Sequence, residues 1–242
     1  MSTTAHTIVV TTRQNTVDAM RLLPEGHTNP SSNVTNMPKD SPKLDGWFDV
    51  NEYFSVLNHL SMQPGYVLDY VYNNSGSGGQ PYLYARRVDS IPFSTVNELY
   101  NTYIDKTIGH TYDYMAYIKT DDTEESFFQY VTLRIMGGQF YLWWHANYND
   151  DTIICDATGL EAILSVIFWG KDITSEVKSK ARKLNLAPVV ELKDDLVIVR
   201  VITFTKWGGF IEETYIINRL FPHVIKDLKT QILVPWECGV MF

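Results

Sequence analysis

The sequence predicts an α+β protein in which a mixed, mainly antiparallel sheet is built from hairpins and carries packed helices. Three observations predict it. Gly-Gly pairs at 137–138 and 208–209 each sit between apolar runs rich in β-branched and aromatic residues, the pattern of a two-residue turn with positive φ. Two runs rich in Tyr and Val, 66–73 and 82–88, flank an Asn/Ser/Gly segment at 74–80 and read as a third hairpin. Between these pairs lie stretches whose apolar residues recur at helical spacing behind capping residues. Hairpins set antiparallel strands side by side, which argues against a doubly wound parallel sheet.

Taken in order, Ile8 to Val10 reads as a short strand, and Pro24, Pro30, Pro38 and Pro42 punctuate a polar loop or linker over 24–46. Asp49 and Glu52 open a helix with Val50, Tyr53, Phe54, Leu57 and Leu60 on one face, stopped by Pro64-Gly65. After the first Tyr-rich hairpin, Thr95 and Glu98 cap a helix with Val96, Leu99, Tyr100, Tyr103 and Ile104 as its stripe. A strand near 114–119 and an acidic turn (Asp121, Asp122, Glu124, Glu125) lead into the hairpin 127–146. A strand at 152–156 follows, then a helix capped by Thr158 and Glu161 and a basic helix opened by Thr174. A strand at 189–192, the hairpin 196–207 and 210–218, and a helix around 223–230 complete the chain. The whole reads as one domain over 1–242, divisible into lobes at 47–157 and 158–242.

Composition narrows the function classes. With 20 Lys and Arg against 28 Asp and Glu, the net charge is -8, which disfavours nucleic acid as a partner because phosphate affinity comes from clustered cations. The one basic run, Lys178, Lys180, Arg182 and Lys183, reads as a solvated helix face. Cys155 and Cys238 are the only cysteines, far apart, so neither a disulfide framework nor a zinc motif is written here. The opening residues lack a basic, then apolar leader, and no stretch reaches the roughly 18 apolar residues of a membrane helix. A cytoplasmic protein with no membrane partner is the expectation.

Register separates the Gly-Gly hairpins. A two-residue turn at Gly137-Gly138 sets Met136 against Gln139. Val131, Leu133 and Ile135 then share an apolar face with Phe140, Leu142 and Trp144, whereas Tyr130 and Arg134 share the other with Tyr141, Trp143 and His145. Aromatic bodies beside a guanidinium and an imidazole suit stacking with polar anchoring, although a covering element would use the same face as core. The second hairpin divides Ile198, Ile202, Phe204, Ile211, Tyr215 and Ile217 from Thr203, Thr205, Glu212 and Thr214, and reads as scaffold.

Candidate chemistry gathers in residues 145–156, which hold His145, Asp150, Asp151, Cys155 and Asp156. A Cys-His dyad fails because the register sends Cys155 to the core side and His145 to the other. Asp156 shares the face of Trp143 and His145, so it either orients the imidazole or caps the next helix. The Gly/Ser segment 75–79 lacks the last glycine of a dinucleotide fingerprint and the lysine of a P-loop. No hydrolase elbow or zincin motif occurs, and His110 and His223 stand isolated. Without a cofactor motif, the expectation is a non-enzymatic binding protein for a protein or small-molecule partner. Its candidate residues are Tyr130, Arg134, Tyr141, Trp143, His145 and Asp156. The alternative is a hydrolase or metal-dependent enzyme centred on His145, Asp150 and Asp156.

Overall fold

Short polar side chains start the helices. Thr12, Thr95, Thr123, Asp156 and Thr174 each accept a hydrogen bond from the backbone N–H three residues on, satisfying donors that a first helical turn leaves open. The computed structural model describes residues 12–29, 43–74, 77–104 and 113–240. Its helices are α1 (Arg13–Leu22), α2 (Tyr53–Val56), α3 (Val96–Ile104), α4 (Glu124–Met136), α5 (Ala157–Ser165) and α6 (Ser175–Ala181). The strands are β1 (Leu60–Met62), β2 (Tyr66–Asn74), β3 (Gly78–Arg87), β4 (Ile118–Thr120), β5 (Trp143–Trp144), β6 (Thr152–Ile154), β7 (Val189–Leu192), β8 (Leu196–Thr205), β9 (Gly209–Asn218) and β10 (Ile225–Pro235). Every strand pair is antiparallel, and the fold is α+β.

The main sheet runs β10-β9-β8, with β6 and β7 end to end on the far edge of β8. One face, carrying Val197, Val199, Val201, Tyr215 and Ile217, belongs to the core cluster that holds α4; the other, with Ile202, Phe204 and Phe210, packs with α5 and α6. A second sheet, β2-β3-β5, turns Leu68, Tyr70, Tyr72 and Leu83 into the core of α4, and α3 covers Val71 and Tyr84 on its outer face. A two-stranded ladder pairs β1 with β4. The largest core cluster runs from Val17 to Ile217 and draws on both sides of residue 157. Among the described residues no helix is long and apolar enough to cross a membrane.

Several expectations are corrected. The segment 127–136 is the helix α4 and not a strand, so the first Gly-Gly hairpin and the faces deduced from it do not exist. Gly137 caps that helix and donates its N–H to Leu133 O at 2.9 Å; a Cβ there would lie 2.5 Å from the same carbonyl. The region expected as a helix at 223–230 is mostly strand β10, paired with β9 from Ile225 onward. The second hairpin closes through Lys206, Trp207 and Gly208, with Thr205 opposite Gly209 and Phe204 opposite Phe210. An odd slip reverses relative faces, so Ile202 and Phe204 share theirs with Phe210, Glu212 and Thr214, whereas Val197, Val199, Val201 and Thr203 share theirs with Ile211, Tyr215 and Ile217.

Smaller departures have local causes. The helix opened by Asp49 is a 3-10 turn plus α2 and stops at Val56, which frees Leu60 for β1. The region at 114–119 is a 3-10 turn leading into β4. Asp156, not Thr158, caps α5. Helix α1, unforeseen in a polar stretch, buries Val17 and Met20. The basic helix α6 faces solvent as expected, with Arg182 paired to Glu161 and Lys180 to Glu176. The run Ile8–Val10, residues 30–42 of the Pro-rich segment, Ser75, Gly76 and His110 lie outside the described residues.

Candidate functional site

The site is assembled from the segment after α4, the tip of the β2–β3 hairpin and the β8–β9 turn. Leaving Gly137, the chain is tied back on itself by Gln139, whose side-chain amide donates to Ile135 O at 3.1 Å and to Asp151 O at 2.9 Å. Phe140 and Tyr141 then enter the core. The Tyr141 hydroxyl accepts from the N–H of Phe48 at 3.0 Å, and its carbonyl accepts from the Tyr72 hydroxyl at 2.7 Å. Next, Trp143 and Trp144 pair with Gly79 and Gly78 as β5.

That pairing explains Gly78 and Gly79, which make a close backbone approach. A Cβ on Gly78 would sit 3.0 Å from Ala146 N, and one on Gly79 would sit 2.2 Å from the Tyr72 hydroxyl. Tyr141 (φ 55°) and Trp144 (φ 53°, ψ -125°) both have positive φ, a backbone state that costs side-chain-bearing residues about 1–3 kcal/mol each. Flanking bonds hold this strained stretch, and it presents Trp144 at 50 % exposure and Tyr148 at 41 %.

A 3-10 turn over His145–Tyr148 follows. The His145 and Tyr148 rings lie parallel with centroids 6.4 Å apart, and Tyr148 meets Trp207 at 4.4 Å. Trp207 Nε1 donates to Asn147 O at 3.5 Å. Asp150 grips the β8–β9 turn, accepting from Thr205 Oγ1 at 2.5 Å and from Lys206 N at 3.0 Å, with Lys206 Nζ 3.7 Å away.

Asp151 differs from its neighbour. It lines a cleft of about 490 Å³ together with Asn73, Gln80 and Tyr82 from the hairpin and His145, Tyr148 and Asn149 from the segment. Burial, then the negative charges of Glu213 and Asp150, push its carboxyl up to about 6. A carboxyl so raised in a cleft is a common mark of a functional group. The facing wall is polar: the Tyr82 hydroxyl accepts from Gln80 Nε2 at 2.9 Å and from Asn73 Nδ2 at 3.5 Å. The cleft therefore offers aromatic faces, amides and one carboxyl poised between its two protonation states.

The expected site residues are dispersed. Tyr130 is buried in α4, its hydroxyl donating to Met115 O and His223 O. Arg134 is exposed near the end of that helix, Tyr141 is core, and Trp143 is half-buried behind Trp144. Asp156 accepts from Gly159 N at 3.0 Å as the cap of α5. Of the six, His145 alone lines the cleft. His145, Asp150 and Asp156 form no metal-holding cluster, and among the described residues no three His, Cys, Asp or Glu side chains do. Cys155 is buried, as the register argument required though on other geometry, and burial pushes its thiol up to about 12. Tyr82, Tyr148 and Asp151 are not among the expected binding residues; the signal for Tyr148 and Asp151 was the polar density of 145–151, and for Tyr82 only its place in the Tyr-rich hairpin. Comparison with protein-family models, curated proteins and solved structures finds no match to this chain.

Proposed function

We propose that this chain is a non-enzymatic binding protein whose cleft between the β2–β3 tip and residues 145–151 receives a small organic cation. The observation that carries the reading is Asp151, a carboxyl raised by burial and by neighbouring carboxylates inside an aromatic and amide-lined cleft. A bound cation relieves the repulsion from Glu213 and Asp150 and favours the ionised carboxylate. Faces such as those of Tyr82 and Tyr148 add cation–π attraction of roughly 0.5–2 kcal/mol. The amides of Asn73, Gln80 and Asn149 supply the few polar groups that fix a ligand's orientation. This surface differs from the one expected from sequence: Tyr82, Tyr148 and Asp151 take the place of Tyr130, Arg134, Tyr141, Trp143 and Asp156, and His145 is kept.

The test is a fluorescence titration with tetramethylammonium and simple alkylamines at about pH 7.5 and about pH 5, on either side of the Asp151 midpoint. Saturable binding is expected at the higher pH, weaker binding at the lower, loss in Asp151→Asn and weakening in Tyr148→Ala. No saturable binding, or binding indifferent to Asp151→Asn, refutes the reading. A hydrolase or metal-dependent enzyme centred on His145, Asp150 and Asp156 has less in its favour, since Asp150 is engaged by the β8–β9 turn and Asp156 by α5. The free, buried thiols of Cys155 and Cys238 favour a reducing compartment, and cytoplasmic location is part of the proposal.

A further inference from the structure

Strand β10 closes one side of the main sheet, and among the described residues β9 is its only strand partner. Residues 226–232 are all exposed, Leu228 at 45 % and Ile232 at 59 %. From Asp227 to Ile232 the ladder with β9 is uninterrupted, register shifts occurring only on either side of it. The outer edge of this stretch offers a regular row of backbone donors and acceptors, a template for another strand.

Natural edges are often protected by lysines, whose like charges repel an incoming copy. Here Asp227 breaks that pattern between Lys226 and Lys229. Consider a second copy laid antiparallel about a two-fold axis through Leu228. Asp227 then faces Lys229 of the partner subunit, Lys229 faces the partner's Asp227, and Leu228 meets its own symmetry mate. Opposite charges and apolar side chains directly across an antiparallel pair are the contacts that stabilise it, and a self-complementary patch is what a two-fold interface requires.

We propose that this chain dimerises by antiparallel pairing of β10 with β10 of a second copy, in the register that opposes Asp227 and Lys229. The test is sedimentation analysis of the full chain over a wide concentration range, with folding of each variant checked by circular dichroism. Wild type is expected to show a concentration-dependent monomer–dimer equilibrium. Asp227→Lys and Lys229→Asp, both at exposed positions, each replace two attractive pairs by repulsive ones and weaken the dimer by about tenfold. The two single variants mixed together, and the double variant D227K/K229D, regain wild-type association. A chain that is monomeric at every concentration overturns the proposal, whatever else occupies the edge. So does a dimer that neither charge reversal weakens, which would place the interface elsewhere.

Discussion

Adjacent aspartates have opposite roles, and Asp150 and Asp151 show why sequence could not separate them. Asp150 is stabilised by partners on Thr205 and Lys206, some 55 residues away, whereas Asp151 is held against its own ionisation. Its folded midpoint of about 6 lies above the ordinary carboxylate value, so the folded state binds the extra proton between the two. Stability is therefore lost as pH rises from about 4 through about 6. Asp151→Asn removes that loss, and denaturation curves should show it more stable than wild type by about 1–2 kcal/mol near neutral pH after allowance for solvent screening. The gain should shrink as the pH approaches 4. Asp150→Ala should instead destabilise by about 1–3 kcal/mol, leaving the Lys206 N–H unmatched. Gly79→Ala, whose Cβ would strike the Tyr72 hydroxyl, should cost about 1–3 kcal/mol by overpacking. The polar density of 145–151 was legible; which carboxylate was left in the cleft depended on a turn distant in sequence.

At the scale of elements, the largest misreading and its cause are both in α4. From Ser126 to Leu133 the helix is buried on every side and has no polar stripe, and the run Phe128, Tyr130, Thr132, Arg134 against Val131, Leu133, Ile135 imitates strand alternation. Its true signals were local: Thr123 and Ser126 form a reciprocal capping box, Glu124 and Glu125 fill the first turn, and Arg134 lies in the last. Thr123→Ala should cost about 1 kcal/mol, read from thermal or chemical unfolding. β10 is the converse case, because Ile225, Leu228 and Ile232 happen to fall at helical spacing on an edge strand that needs no alternation. The hairpin β2–β3 was legible from its Tyr- and Val-rich runs about an Asn/Ser/Gly segment, the helices α3 and α6 from a capping threonine and an apolar stripe, and α5 from its stripe although Asp156 caps it. His223 joins several of these elements. Its Nδ1 donates to Asn218 O at 3.2 Å, and its Nε2 accepts from Thr120 Oγ1 at 3.2 Å. Burial lowers its midpoint, with Asp122 opposing and Lys119 reinforcing that shift. The unfolded chain then binds the proton more readily, so this ring contributes a loss of stability as pH drops below about 6.5, the unfolded value, opposite in sign to the Asp151 contribution. His223→Gln should flatten that dependence.

For the whole molecule, the antiparallel sheet between α4 and the α5–α6 pair places the β8–β9 turn beside the hairpin tip, and the strained 141–148 segment bridges them. The α+β class was readable from the hairpins and caps, whereas the cleft was not, since it exists only where the β2–β3 tip meets residues 145–151, two segments distant in sequence. The proposed function turns on a cleft carboxyl tuned to take a cation. The most direct measurement is a carbon-detected NMR titration of the Asp151 carboxyl, free and saturated with tetramethylammonium. The midpoint is expected at about 6 in the free protein and lower when the cation is bound, by linkage. A midpoint in the ordinary carboxylate range that the cation leaves unmoved would contradict it.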